Sequence, residues 1–558
     1  METKRLILAF SLSAAVMILW TVLFPSKPEP AAPPKAPAAT AAPATAAPAP
    51  AAVPTAVASP ASGAPRVPVP PLAAAAEETV TVDRPLYTAV VTNRGGALRS
   101  FVLKKYLDAK GKPLDLVRHG SPYPGVTLTL DTADPFLTRA AEALYVVERS
   151  EADGATTVRL HYREADGSGI VRTWVFRSEY QVATKVEREG GPGLPVALVL
   201  GPGIGNPSAE ELANQYTKPG TAFALSAGGS VTNKPRGDLK EALALGTGLV
   251  AAGIEDIYFV TAFLPGTGTS ATLRPVTLAA APAATGSPAA DDAENVAVLS
   301  AAGTLDADLF LGPKEIAVLE KVRPGLDKLI DYGWFALLVK PLLWTLKGIQ
   351  SVVKNWGVAI VLITVLIKIL LYPLTHKQLV SMKKMGALQP KMEAIRAKYA
   401  TKIKNDPGAR LKMNEETMAL YKQEGVNPAG GCLPLLLQMP ILIAFYNLLS
   451  HAIELRHAPF MLWITDLSVK DPYYITPILM TLTMWLQQQM TPPTGDATMR
   501  RVMNLMPFLM GFFFKDVPAG LVLYWLVQNV LTIIQQMLLN RFTDLGPASM
   551  QKAAGKAG

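Results

Sequence analysis

Residues 361–375 read VLITVLIKILLYPLT, a run of Val, Ile and Leu interrupted by a single cation, Lys368. The run sits in an apolar stretch over about 356–374. A helix rises about 1.5 Å per residue, so about 20 residues cross a bilayer core of about 30 Å. A lysine facing lipid near mid-membrane costs on the order of 3 kcal/mol. Two readings of Lys368 stand. Its amine snorkels to the inner interface, where Tyr372 lies one turn on, or it faces a wet cavity between helices. Thr364, at i−4, shares its face, and a polar stripe is more than snorkelling requires.

Working outward, half of the 558 residues are apolar and the net charge is +9. In a membrane protein such an excess serves topology and lipid attraction rather than nucleic-acid binding. One cysteine, Cys432, excludes a disulfide framework or thiolate metal site within the chain. The five histidines are scattered without metal-ligand spacing.

Residues 6–24 follow Lys4 and Arg5 and are apolar for longer than a signal-peptide centre. They predict an uncleaved anchor over 1–24 with its N-terminus inside. Residues 25–78 are Ala/Pro-rich and predict a semi-extended tether. From 79 to 322 short alternating runs (TVTVD, YTAVVT, TTVRLHY, IVRTWVF) alternate with turn residues and predict an antiparallel β domain, a sandwich, closed by LGPKEIAVLEKV. Residues 333–349, with Trp334, Lys340, Pro341, Trp344 and Lys347 among apolar neighbours, predict an amphipathic helix on the membrane surface. Five further apolar segments follow, at about 356–374, 430–449, 473–490, 502–514 and 521–540. The segment 502–514 is short for a span unless flanking residues complete it or the bilayer thins.

Charge sets the orientation. Residues 375–429 carry eleven Lys or Arg, whereas 450–472 carry only Arg456 and Lys470. Arg500 and Arg501 fall in the next expected inner loop, Lys515 alone in the next outer turn, and the tail 542–558 returns inside. The positive-inside rule then predicts six spans, both ends cytoplasmic and the β domain outside. Within 376–425, Leu379, Met382, Met385, Leu388, Met392 and Ile395 recur every three or four residues, NDPG interrupts at 405–408, and Leu411, Met418 and Tyr421 resume. This predicts an αα-hairpin with apolar and basic faces, packed on itself or meeting lipid headgroups, RNA or a ribosome.

The spans carry further polar groups: Gln438, Asn504, and in the last span Gln528, Asn529, Thr532, Gln535 and Gln536, of which Asn529, Thr532 and Gln536 share a face. Helix-to-helix hydrogen bonding explains such groups as readily as a site does. None of the spans contains Asp or Glu, which weakens a proton- or cation-coupled transporter. The glycines at 201–205 lack a following GK[ST], and no nucleophile motif, metal cluster or phosphate loop is found. The chain therefore reads as a non-enzyme without a cofactor.

The stretches NWGVAIVLITVLIKILLYPLT, ALQPKMEAIR, MALYKQEGVNPAGGCLPLLLQMPI, LRHAPFMLWITDLSVKDPYYITPILM and PAGLVLYWLVQNVLTIIQQ, in this order over roughly 333–541, resemble the YidC-type membrane protein insertases. The anchor and β domain resemble the longer Gram-negative form, located in the bacterial inner membrane. The resemblance implies a five-span core over 356–541, a periplasmic β-supersandwich and a hydrophilic groove open to the cytoplasm and lipid. Lys368 occupies the place of the family's groove cation, usually arginine; a lysine keeps the charge without the planar fork. Thr364 matches a substrate-contacting threonine, Gln438 a polar groove residue, and Trp525 an aromatic that touches substrate; Tyr524 and Asn529 complete the expected groove. The hairpin, with Met382, Met385 and Met392, is implied to capture clients. Implied partners are nascent membrane proteins, the Sec translocon, membrane lipids and, weakly given the short and modestly basic tail, the ribosome, with no specific DNA or RNA sequence. Inserting and helping to fold new inner-membrane proteins is the function implied. A small-solute secondary transporter and a membrane-anchored periplasmic scaffold are the rival classes; the first calls for inverted repeats and broken helices, and no clear repeat is visible.

Overall fold

The computed structural model describes residues 70–108, 110–119, 125–128, 134–190, 194–205, 220–277, 293–406, 408–425, 433–491 and 497–542. The expected anchor 1–24, the tether up to residue 69 and the tail from 543 lie outside the described residues.

The β domain consists of two nine-stranded antiparallel sheets. One runs, neighbour to neighbour, through β1 (Thr79–Asp83), β2 (Tyr87–Thr92), β3 (Leu98–Leu107), β5 (Val126–Leu128), β10 (Pro195–Leu200), β17 (Ala293–Ala302), β16 (Ser270–Thr277) and β13 (Leu243–Gly246), with β4 (Pro113–Asp115) paired to β3. The other runs through β12 (Val231–Lys234), β11 (Thr221–Ser226), β14 (Leu249–Glu255), β15 (Phe259–Pro265), β18 (Thr304–Pro313), β9 (Gln181–Glu189), β8 (Gly169–Phe176), β7 (Ala155–Arg163) and β6 (Val146–Ala152). Alternation drives the packing. In β9 every second residue from Val182 to Val186 is buried, as period-2 side-chain direction dictates. Phe101, Leu198 and Leu299 from the first sheet and Trp174, Phe263 and Phe310 from the second are fully buried in one core. The β6–β7 hairpin closes on Asp153 and Gly154, both at positive φ, the Asp-Gly turn that matches strand twist. A short helix, α1 (Pro135–Glu142), is capped by Asp134.

The tether does not run free up to residue 78. Leu72 exchanges backbone hydrogen bonds with Arg163 at 2.9 Å in both directions, Ala74 N donates to Leu144 O, and Asn93 reads both Ala76 and Glu78. The domain's contacts thus begin several residues before 79, because an edge residue needs only backbone groups to join a sheet.

Past β18 come α2 (Ile316–Val322), α3 (Ala336–Val353), α4 (Trp356–Ala387), α5 (Gln389–Ala400), α6 (Lys402–Asn405), α7 (Gly408–Gln423), α8 (Leu433–His451), α9 (Ile475–Met490), α10 (Ala497–Phe514) and α11 (Ala519–Phe542). Among the described residues, α3, α4 and α11 are long and apolar enough to cross a membrane. At 16 residues, α9 extends about 24 Å. The expected short segment 502–514 is completed at its polar end, and α10 reaches 18 residues.

The expected amphipathic helix differs from its prediction in one respect. Val339, Leu343 and Leu346 are buried at helical spacing, yet the opposite side exposes Leu337, Trp344 and Val352 rather than a polar face. Its placement is telling. Tyr332, just before α3, accepts from Asn447 in the last turn of α8, and Lys347, midway along α3, pairs with Glu454 just beyond α8 at 2.5 Å. Both contacts fall at one end of α8, so α3 crosses that end instead of running alongside.

The hairpin also begins later than residue 376. α4 continues for 32 residues to Ala387 with Pro373 inside it, so the helix runs past residue 376 before the chain turns. Pro390, in the first turn of α5, cannot extend the ladder, and the chain turns at Leu388. The antiparallel arms are α5 and α7, joined by Lys391–Glu424 at 2.6 Å and Lys398–Glu416 at 2.9 Å. The β domain meets the helices through Arg456, which donates to Leu107 O and lies 5.3 Å from the ring of Phe259.

Candidate functional site

A seam between α4, α8 and α11 joins polar side chains of three apolar helices. Lys368 Nζ donates to Thr532 Oγ1 at 2.8 Å, and that hydroxyl donates to Gln528 O at 2.7 Å. Gln528 Nε2 donates to Gln438 Oε1 at 3.3 Å, and Gln438 Nε2 to Tyr524 OH at 2.6 Å. One connected polar track therefore joins three helices. The local reason is spacing. Tyr524, Gln528, Thr532 and Gln535 recur at intervals of four, four and three and line one side of α11 over about 17 Å. Thr364, Lys368 and Thr375 do the same on α4. Farther along, Gln535 Nε2 donates to Thr375 Oγ1 at 3.2 Å.

An ammonium has three donors. Among the described residues Lys368 has one hydrogen-bond partner, a neutral hydroxyl. No helix of the seam carries a carboxylate. The cation is anchored but not neutralised, and its field is left for whatever enters beside it. Polar atoms also lack partners here. Both amide atoms of Gln378 and the Oε1 atoms of Gln535 and Gln536 are buried without one. Such a group costs about 1–3 kcal/mol when left unpaired in a dry interior.

The lipid-side face of α4 is the reverse. Leu366, Ile369 and Leu370 are exposed, Leu370 at 76%. A second apolar surface is a cleft of about 700 Å³ between α9 and α10, lined by Ile478, Leu482, Trp485, Phe508 and Phe512, with Lys515 at one end. It contains none of the expected site residues.

The expected residues separate into two groups. Lys368, Gln438 and Tyr524 meet in the track. Thr364 does not reach it: it is fully buried and its hydroxyl returns to Ile360 O at 2.6 Å, an intrahelical bond. Asn529 faces the other way and donates to Thr483 Oγ1 at 3.3 Å and weakly to Met480 O on α9, a helix-to-helix tie. Trp525 is half-buried, edge-on to Phe514 of α10 with ring centres 4.7 Å apart. In the hairpin, Met385 and Met392 pack with Leu388 and Tyr421 in a small core, and Tyr421 OH lies 3.0 Å from Met392 Sδ. Those two methionines are therefore not displayed for capture in this arrangement; Met382 is half-buried, and the exposed apolar side chains of α7 are Leu411 and Met418. Thr375 and Gln378 went unread as site residues, although their spacing from Lys368 on α4 was the available signal. Gln528 and Thr532 were visible as polar groups without a partner to assign.

Comparison with known proteins covers nearly the whole chain. A family described as "60Kd inner membrane protein" matches residues 348–546, and one described as "YidC periplasmic domain" matches residues 79–345. A curated protein named "Membrane protein insertase YidC" from Syntrophus aciditrophicus (strain SB) is 36% identical over 563 residues, 96% of this chain and 99% of its own length. Its namesake from Citrifermentans bemidjiense (strain ATCC BAA-1014 / DSM 16622 / JCM 12645 / Bem) is 38% identical over 558 residues, with the same shares. A solved structure, "Active YidC insertase crystal structure with the first transmembrane domain resolved", covers 85% of this chain and 95% of its own at 20% identity and a TM-score of 0.36, too distant a likeness to carry an argument.

Proposed function

The chain belongs to the YidC family of membrane protein insertases, and from that premise we propose that the Lys368 track is the groove through which it inserts nascent membrane proteins. A client's apolar segment slides along the exposed face of α4 while its polar flank lies against Lys368, Thr532, Gln528 and Gln438. No nucleotide enters the scheme. Partition of the apolar segment into lipid drives it, at about −0.3 to −0.6 kcal/mol per Leu, Ile, Val or Phe at mid-membrane. About ten such residues offset one or two transferred charges on that scale. The protein lowers the barrier and leaves the end states unchanged.

The single observation that carries this reading is a cation tied to a neutral hydroxyl, with no carboxylate on the surrounding helices. It attracts acidic or polar peptide, whereas a cation-coupled transporter would need an acid there. The finer topology belongs to the same proposal: six spans, both termini and the α5–α7 hairpin in the cytoplasm, and the β domain in the periplasm. Its support is the asymmetry of Lys and Arg along the loops. Clients are captured by the hairpin's exposed side chains and by Trp525. The Sec translocon, lipids and, weakly, the ribosome are the partners this scheme would use.

Site-specific photo-crosslinking tests it. Probes at Lys368 and Trp525 should capture a ribosome-bound nascent membrane protein, and cytosolic thiol reagents should reach a cysteine placed at 368. A sealed position 368 and clients that never touch either probe would remove the proposal.

A further inference from the structure

The Lys368 track continues toward the C-terminal end of α4 into a neutral stretch. Thr375 and Gln378 lie seven and ten residues beyond Lys368, on the same side of α4, and Gln535 lies one turn beyond Thr532 on α11. Gln535 holds Thr375 with its amide nitrogen. Its oxygen has no partner, nor has either amide atom of Gln378. Both residues are more than nine-tenths buried, with Gln378 at 4% exposure. Two acceptors and one amide donor group thus lie on two helices without a charge among them.

The chemistry selects the ligand. A phosphate or carboxylate offers acceptors only and would face two acceptors. A cation would look for carboxylates, which these helices lack. A peptide backbone offers a donor and an acceptor at every residue. An extended segment leaving water for a membrane must find partners for both, since lipid supplies none. We propose that Gln378 and Gln535 form a main-chain-binding station that holds a client's extended segment between the inner side of the membrane and Lys368. The station reads backbone and tolerates any side chain, which is how one groove serves clients of unrelated sequence. This inference rests on the insertase groove proposed above.

The test uses the full-length protein in membranes, with a single-span client whose short translocated tail is polar. The double variant Gln378→Leu/Gln535→Leu should insert that client roughly five- to tenfold more slowly, as expected for one or two lost neutral hydrogen bonds. A client whose tail carries consecutive prolines has no N–H to offer there, and its insertion should change by less than about twofold in the same variant, since it makes fewer of the lost bonds. A photo-crosslinker at 378 alone should capture the tail, so the proposal stays testable where the double variant fails to fold. Capture at Trp525 but not at 378, with normal insertion by the leucine variant, would mean that the amides bind water only and would overturn the station while leaving the groove intact. Equal slowing of both clients would overturn backbone reading. Capture at neither position would defeat the groove itself.

Discussion

The β domain and the helical core both bury apolar side chains, but they differ in what they leave exposed and in the polar groups they take in. In the sandwich, large apolar groups such as Trp174, Phe176, Phe223, Phe263 and Phe310 are fully buried, and surface charges pair with one another, as in Arg139–Glu164 at 2.7 Å. In the helices, Leu370, Phe508 and Phe512 are exposed while Gln378, Asn529, Gln535 and Gln536 are buried. Water rewards the first arrangement. The second is stable where lipid surrounds the helices and polar groups turn inward, at a cost wherever they lack partners. The lesson is that burial has no meaning apart from the solvent.

The sharpest way to break the contrast is to damage one region and watch the other. Trp174→Ala should destabilise the β domain by about 3–5 kcal/mol, the usual cost of truncating a buried tryptophan. Limited proteolysis of the full-length protein should show cleavage in residues 79–313, with insertion unchanged. A parallel loss of insertion would tie the two regions together. The converse is Lys368→Glu, which reverses the groove's field. Insertion of a client with an acidic translocated tail should fall more than about tenfold, a barrier increase of ~1.4 kcal/mol. Lys368→Ala should follow in the same direction, Lys368→Arg should retain most activity, and β-domain protease resistance should not change. Complementation of a depletion strain with protease protection of the client reads these outcomes; equal activity for all three would remove the charge from the mechanism.

A smaller effect sharpens the picture inside the track. Gln438→Leu removes the bonds to Tyr524 and Gln528 and should slow insertion by roughly fivefold, in line with about 1 kcal/mol for a net neutral hydrogen bond. Tyr524→Phe should do less. The double variant should match Gln438→Leu alone, because partners in one bond are not additive. Simple additivity in initial rates would show that the two residues act apart.

The smallest effect is a pH response in the 452–474 segment beside the β domain. Burial pushes the Asp471 carboxyl up, but the Thr476 N–H and hydroxyl, the Tyr473 N–H and the Trp463 indole N–H together hold it below the usual aspartate range. Its folded value lies below its unfolded value, so its stabilising share is complete above about pH 3.9 and is lost as pH falls through the folded value. Hydrogen-exchange protection in this segment, relative to the intrinsic exchange rate at each pH, should fall on acidification in the wild type and less steeply in Asp471→Asn. Identical pH profiles would assign the response elsewhere.

Element types were legible from residue order, because periods of 2 and 3.6 follow from backbone geometry alone. The alternating runs of the β domain, the break at NDPG and the cation of the second apolar segment all stand where periodicity and charge placed them. Partner choice was not legible. Asn529 and Thr532 lie three residues apart on α11, yet one bonds to α9 and the other to Lys368 on α4. Met385 and Met392 carry the apolar stripe expected of a capturing surface, and Tyr421, about thirty residues away in sequence, covers them. Thr364 shares the face of Lys368, and the packing of α4 turns it into the protein.

By itself the sequence determined which segments are apolar, which are charged, and that a lone lysine interrupts a helix long enough to span. Only the tertiary structure decided that this lysine would share a seam with Thr532, Gln528, Gln438 and Tyr524, and that polar atoms of Gln378 and Gln535 would be buried without partners. Periodicity assigns a residue to a face of its own helix. The rotation that aims the face is set by close packing against helices far along the chain, and no local pattern encodes it.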